Sequence, residues 1–320
     1  MDNKQKVFAY IDAHRDDIVE QLKKMVAFPT INDGDCNGNE GPMQKMFAQQ
    51  MRDEGFDTVV EAAYDEAGER PNVVPGTAWA EVGTQQVSAD EMNRVFAEKG
   101  LNVKAVELGS QRARVEATGV GAHASMPHLG VNAAGLLMIA LRELNAGGGS
   151  AQAIAAVAEK LGMEGNGASL GVAMGDEKSG ELTCNMGVLR YDGQELSFHI
   201  DIRYPLCANE TDLCGRIVMA LSGTPIQVRR LGGHPVHHVP EEHKMVQGLL
   251  KVYHDMTGLP AKAIAIGGGT YSQTIPNTVA FGINFPGDED PCHMPDEYVY
   301  IDKLMLSVKI MAHAIETLCR

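Results

Sequence analysis

The chain has 320 residues, enough to bury a substantial core and to form about two domains. Hydrophobic residues make up 44% and charged residues 22%, an ordinary balance for a globular protein, and 27 basic against 42 acidic residues leave a formal charge of −15. That field argues against nucleic acid and anionic membrane as partners, because no basic stripe offsets it.

In chain order, Phe8, Ile11, Ile18, Leu22, Met25 and Val26 recur at helical spacing and predict one long amphipathic helix ending before Pro29. His14, Arg15, Asp16 and Asp17 read as its solvated face. A Gly/Asn/Asp-rich loop over 32–41, a helix over 43–54 stopped by Gly55 and a strand over 56–60 follow. The pattern then changes. Strand 79–82, helix 89–99, strands 101–108 and 112–118, helix 131–144, strands 184–190 and 196–203 and helix 210–221 suggest a small open-faced α+β sandwich. A helix over 151–161 and the GDEKSG loop look like an insertion in it. After Gly233 the first pattern resumes with a helix over 244–256. Two apolar runs, 263–266 and 278–283, read as strands flanking a glycine turn, and an acidic loop with His293 follows. Ile301, Leu304, Met305, Val308, Met311, Ile315 and Leu318 then outline a closing helix. The expected fold is α/β, a larger domain built from both chain ends with the small domain inserted in it.

Six cysteines, Cys36, Cys184, Cys207, Cys214, Cys292 and Cys319, show no CxxC spacing, so no structural zinc knuckle is expected. No signal-peptide pattern and no membrane-spanning apolar run is read, and a reducing cytoplasm with free thiols is the expected setting.

Several stretches could carry chemistry. The turn Gly267, Gly268, Gly269, Thr270 follows an apolar run, and its bare N–H groups can meet an anion, though a plain turn reads the same way. His123, in a Gly/Ala/Ser turn ahead of a helix, can donate to a developing oxyanion or simply be satisfied by local backbone. Arg203, leaving a strand beside Pro205, can grip a carboxylate with a bidentate fork or form a surface ion pair. HPVHHVPEEHK over 234–244 is rich in histidine, but Pro235 and Pro240 keep it extended and it lacks the i,i+4 ligand geometry, so a linker is the better account.

Four blocks together, NVVPGTAWAEV, GVGAHASMPHLGVNA, DIRYP and HHVP…LLKVYHDMTGLP…GGGTYSQTIPNTVAFG…DEDPCHMPDEYVYIDKL, resemble the di-zinc superfamily of aminoacylases, carboxypeptidases and dipeptidases. Within it the chain is most similar to the PepV-type, carnosinase-like dipeptidases. The resemblance implies a catalytic α/β domain split over 1–71 and 233–320 around a lid domain over 72–232. It implies hydrolysis of dipeptides or short peptides with a free amino end, in a monomer or a lid-mediated dimer. It also implies two zinc ions sharing a water whose pKa falls from ~15.7 to about 7. By residue, His293 would be a zinc ligand, His123 and Asn72 would steady the tetrahedral oxyanion, and Arg203 would hold the substrate's C-terminal carboxylate. Gly267, Gly268, Gly269 and Thr270 would line the carboxylate end, with Gln273 standing where the family often shows Arg.

One departure is larger. These enzymes carry a GHxDVVP block, a DDKG block and a Glu-Glu pair between the first strand and the lid, supplying the other ligands and the general base. Here GERPNVV runs straight into PGTAWAEV, as if two similar NVV segments were joined with everything between lost, and Asn72 could belong to either copy. The expectation is a truncated catalytic domain and a chain with little or no zinc-dependent activity. The alternative is a shortened non-enzymatic protein that binds peptide carboxylates or self-associates through the lid.

Overall fold

A computed structural model describes residues 2–27, 71–84, 87–109, 111–146, 150–191, 196–230, 232–282, 284–289 and 297–319. The predicted loop over 32–41, helix over 43–54, strand over 56–60 and His293 lie outside them. The chain divides into two units: Arg70–His238 with Ile264–Gln273, and Met1–Glu69 with Val239–Ala263 and Thr274–Arg320.

The unit around the middle of the chain opens with Val73–Val74 (β1) and Thr77–Gly83 (β2). Helix Ala89–Glu98 (α1) follows, started by a reciprocal capping box between Ser88 and Glu91. Strands Val103–Gly109 (β3) and Arg112–Thr118 (β4) complete an antiparallel ladder of order β2-β4-β3. On β4, Ala113, Val115 and Ala117 are buried while Arg112, Glu116 and Thr118 face water, the period of two that a one-sided sheet requires. Met92 and Phe96 of α1 reach that core. Asn93, on the same helix, closes the outer edge of β3. Its amide donates to the Ala105 carbonyl at 2.9 Å and accepts from the Ala105 N–H at 2.7 Å, taking the place of another strand.

Ala122–His123 (β5) pairs with β1, and helix Ala133–Glu143 (α2) follows. The small side chains on the inner face of β4 let α2 lie close, and Ala133, Ala134, Leu137, Met138, Ala140 and Leu141 of α2 are buried. Gly135 is dictated by a close approach, since a Cβ there would stand 1.9 Å from the Gly162 carbonyl oxygen, just past helix Ala151–Lys160 (α3). A short hairpin, Gly175–Asp176 (β6) with Gly180–Glu181 (β7), precedes the long hairpin Thr183–Tyr191 (β8) and Leu196–Arg203 (β9). Helix α2 packs against β2, β4 and β8, so one helix serves both ladders. Helix Glu210–Ala220 (α4), capped by Asn209, adds Leu213 and Ile217 to the same core.

The other unit is helical among its described residues. The single N-terminal helix expected from the sequence is broken at His14 into Asn3–Ala13 and Arg15–Val26. The His14 backbone sits at φ −105°, ψ 21°, and its ring Nδ1 lies 2.8 Å from the Tyr10 carbonyl oxygen that a straight helix would give to backbone alone. Only Ile11 is buried along the two pieces, so little packing holds them straight. Arg15, Asp16 and Asp17 are exposed, as their reading as a solvated face expects. Helices Lys244–Thr257 and Ile301–Leu318 meet through Val252, Ile310 and Ala314, with Leu249, Met256, Phe281, Phe285 and Leu306 around them.

The apolar runs 263–266 and 278–283 do not form the expected strands in their described residues, and Ile264 and Ile266 are 78% and 59% exposed. A strand needs a neighbour to take its N–H and C=O groups, and among the described residues no strand lies beside either run.

Candidate active site

The site gathers on the outer face of the β8–β9 hairpin, all of it within the first unit described. Cys184 and Met186 of β8 point into the core, so Asn185 between them points outward. On β9 the same face carries Asp201, opposite Asn185, and Arg203, opposite Thr183.

Asn185 is only 2% exposed yet polar, and it is tied on both sides. Its amide donates to the Pro71 carbonyl at 3.1 Å and the Val73 carbonyl at 2.9 Å. Its oxygen accepts from Asn132 at 3.1 Å, and Asn132 also donates to the Met186 carbonyl and caps the start of α2 at Gly135. Gly187 adds room, since a Cβ there would stand 2.2 Å from the Pro71 carbonyl oxygen. The two carbonyls that Asn185 holds bracket Asn72. Asn72 in turn accepts the Ala124 N–H at 2.8 Å, and Val73 pairs with His123 across β1 and β5. Of the two residues expected to steady an oxyanion, Asn72 therefore immediately precedes β1 and His123 lies on β5 beside it. The segment around Asn72 is built into the same unit as His123, where the sequence left its origin open between two copies.

His123 turns back on its own loop. Its Nδ1 lies 2.5 Å from Ser125 Oγ and 3.2 Å from the Ser125 backbone N–H. Ser125 in turn meets the glycine turn, since a Cβ on Gly267 would stand 2.7 Å from Ser125 Cβ and 3.6 Å from Arg203 Cδ. Arg203 is held side-on by Asp201, Nε to Oδ1 at 2.9 Å and Nη2 to Oδ2 at 3.0 Å, and its Nη1 donates to the Gly267 carbonyl. This carboxylate takes the Nε–Nη2 edge and offsets the charge, while the fork between Nη1 and Nη2 is the edge suited to a second carboxylate. At the far end of the turn, Thr270 Oγ1 and Ser272 Oγ are 2.6 Å apart, and Gln273 Oε1 lies 3.6 Å from where a Gly269 Cβ would be. Asn72, His123, Arg203, Gly267, Gly268, Gly269 and Thr270 thus share one unit, while His293 lies outside the described residues.

The exit of β9 is pinned from outside the site. Asp176 accepts from the Ser179 N–H and hydroxyl, the Lys178 N–H and the Cys207 N–H, and Ser179 Oγ accepts the Leu206 N–H. The Ser179 backbone bond leads these in holding the Asp176 carboxyl well below its usual range. Cys184 is no nucleophile, because burial pushes its thiol up to about 12.

Sequence reasoning missed Ser125, Asp201, Asn132 and Asn185. Asp201 was within reach, since a carboxylate two residues before an arginine on one strand shares its face. Asn185 offered no local signal, because its partners lie 53 to 114 residues away.

A family model described as Peptidase family M20/M25/M40 matches residues 38–317. The chain belongs to this family. It is 34% identical over 261 residues to YtjP of Bacillus subtilis (strain 168), which carries a provisional dipeptidase name, covering 80% of this chain and 55% of that protein. It is 29% identical over 287 residues to the Beta-Ala-Xaa dipeptidase of Lactobacillus delbrueckii subsp. lactis, covering 89% of this chain and 60% of that protein. The chain thus spans little more than half the length of the curated relatives it matches. Peptidase family M20/M25/M40 is generally metal-dependent, with zinc typical. Among the described residues no group of three or more His, Cys, Asp or Glu side chains comes together to hold a metal ion, so the described donors do not fit such a centre. The stretch 234–240 forms neither helix nor strand, and His243 caps the helix that follows by accepting the Met245 N–H at 3.3 Å. No helix among the described residues is long and apolar enough to cross a membrane.

Proposed function

We propose that this chain descends from zinc dipeptidases of family M20/M25/M40 and keeps the substrate-holding half of their site. The observation that carries the reading is the convergence of Asn72, His123, Arg203 and the Gly267 turn on one face of one unit. In this reading Arg203 and the glycine turn hold the C-terminal carboxylate of a short peptide, and His123 and Asn72 steady the oxyanion formed at its carbonyl. Metal-activated water would supply the nucleophile in a complete family member, with His293 as one ligand. The resemblance divides the chain as 1–71 and 233–320 around 72–232, with the turn 264–273 belonging with the middle unit, in a cytoplasmic monomer or lid-mediated dimer.

The chain itself has little or no zinc-dependent activity. Support comes from the direct run of GERPNVV into PGTAWAEV. One histidine cannot hold two zinc ions, because a catalytic zinc takes about three protein ligands. Metal analysis of the purified chain, with turnover of β-alanyl and α-aminoacyl dipeptides, tests this. Less than one zinc per chain and no turnover are expected, and two zinc ions with turnover overturn it.

A carboxylate binder without hydrolysis is the second reading, favoured by an arginine fork already aligned by Asp201. Calorimetry with a dipeptide in the presence of chelator supports it if heat of binding is seen and disappears in Arg203→Gln. No binding at millimolar peptide counts against it.

A further inference from the structure

We infer that Ser125 is a positioning residue that holds the neutral His123 ring in the tautomer with its proton on Nε2. The inference deepens the reading of His123 as an oxyanion donor and rests on it. A backbone N–H only donates, so the contact from the Ser125 N–H to Nδ1 at 3.2 Å fixes Nδ1 as an acceptor. A proton on Nδ1 would set two hydrogens against each other. The Ser125 hydroxyl, 2.5 Å from the same nitrogen, must then donate as well. With Nδ1 spoken for as an acceptor, the neutral ring carries its hydrogen on Nε2.

Both contacts come from a residue two positions on, and the loop between is held firmly. Ala124 is fully buried, its N–H is bonded to the Asn72 carbonyl at 2.8 Å, and the Met126 N–H returns to the His123 carbonyl at 2.9 Å. Gly267 bounds Ser125 on another side so closely that a Cβ there would stand 2.7 Å from Ser125 Cβ. The same small turn therefore sets the hydroxyl on the imidazole and places Arg203's carbonyl partner. The chemical consequence is specific. A ring with hydrogen on Nε2 presents a donor to a developing negative charge, whereas the opposite tautomer would present a lone pair and repel it.

The test is a long-range proton–nitrogen correlation spectrum of the ¹⁵N-labelled full chain at about pH 8, above the ordinary imidazole range. The chain has 11 histidines, so His123→Gln identifies the ring signals by subtraction. The wild type is expected to show a proton-bearing Nε2 and a lone-pair Nδ1 in one tautomer. In Ser125→Ala the Nδ1 resonance should shift toward the tautomer-averaged position, because only the weaker backbone donor remains. A wild-type ring protonated on Nδ1, or averaged over both forms, overturns the inference. An unshifted resonance in Ser125→Ala overturns the role of the side chain. If Ser125→Ala does not fold, the wild-type spectrum decides alone. The readout needs neither metal nor peptide, so failure of the dipeptidase reading shows in turnover and binding, and failure of this inference shows in the spectrum.

Discussion

Replacing Asn185 should loosen the site from beneath, and the geometry sets how much. Asn185→Ala strands the Pro71 and Val73 carbonyls, now held at 3.1 and 2.9 Å, while Asn132 keeps its second acceptor on Met186. A buried polar group that loses its partner costs about 1–3 kcal/mol. Pro71 and Val73 are half-buried, so water can reach them and the lower end applies to each. The expected loss is therefore about 2–3 kcal/mol, or roughly 5–10 °C in the midpoint of a unit of this size. Asn185→Asp keeps the shape but sets a carboxylate oxygen against two carbonyl oxygens, and an uncompensated buried charge costs more, about 3–5 kcal/mol. Urea and thermal unfolding followed by circular dichroism should thus rank wild type above Asn185→Ala and Asn185→Ala above Asn185→Asp. A loss below about 0.5 kcal/mol in Asn185→Ala, or an aspartate no worse than the alanine, would refute the argument, since surface substitutions stay within that range.

Two other expectations concern the turn and the exit of β9. Gly267→Ala puts a methyl 2.7 Å from Ser125 Cβ, so the turn must retreat and release Arg203, whereas Gly268→Ala meets nothing nearer than Ile266 Cδ1 at 3.9 Å. Because an exposed turn can give way, a cost of about 1 kcal/mol is expected at 267 and almost none at 268 by denaturation, and equal costs would sink the close-approach argument. Asp176 has a folded-state pKa below its unfolded value, so its contribution is complete above the unfolded value near 3.8 and is lost as pH falls from there toward the folded one. Unfolding free energies measured from pH 5 to pH 3 should fall less steeply in Asp176→Asn than in wild type, and parallel curves would contradict the assignment.

Much of this molecule was legible along the chain because its cause is local. The alternation of Arg112 through Thr118 announces a half-buried strand, and the spacing of Ile301 through Leu318 announces the closing helix, which runs Ile301–Leu318. Short motifs likewise singled out His123, Arg203 and the glycine turn as candidates. Local pattern failed where a partner was needed. The runs at 263–266 and 278–283 have strand-like composition, yet a strand exists only beside another, and none stands there among the described residues. The break at His14, where the ring also reaches the Tyr10 carbonyl, is not registered by periodicity.

By itself the sequence determined the kinds of chemistry available, namely an imidazole, a guanidinium and a turn with bare amides, and its motif order pointed to the peptidase family. Tertiary structure alone decided how they combine. It set the Gly267 turn against Ser125 and Arg203, and Asn185 under the backbone that carries Asn72. The physical reason is the range of the forces. Side-chain period and turn chemistry act within a few residues, whereas a buried amide finds its carbonyls only when chain segments more than a hundred residues apart are brought to hydrogen-bonding distance.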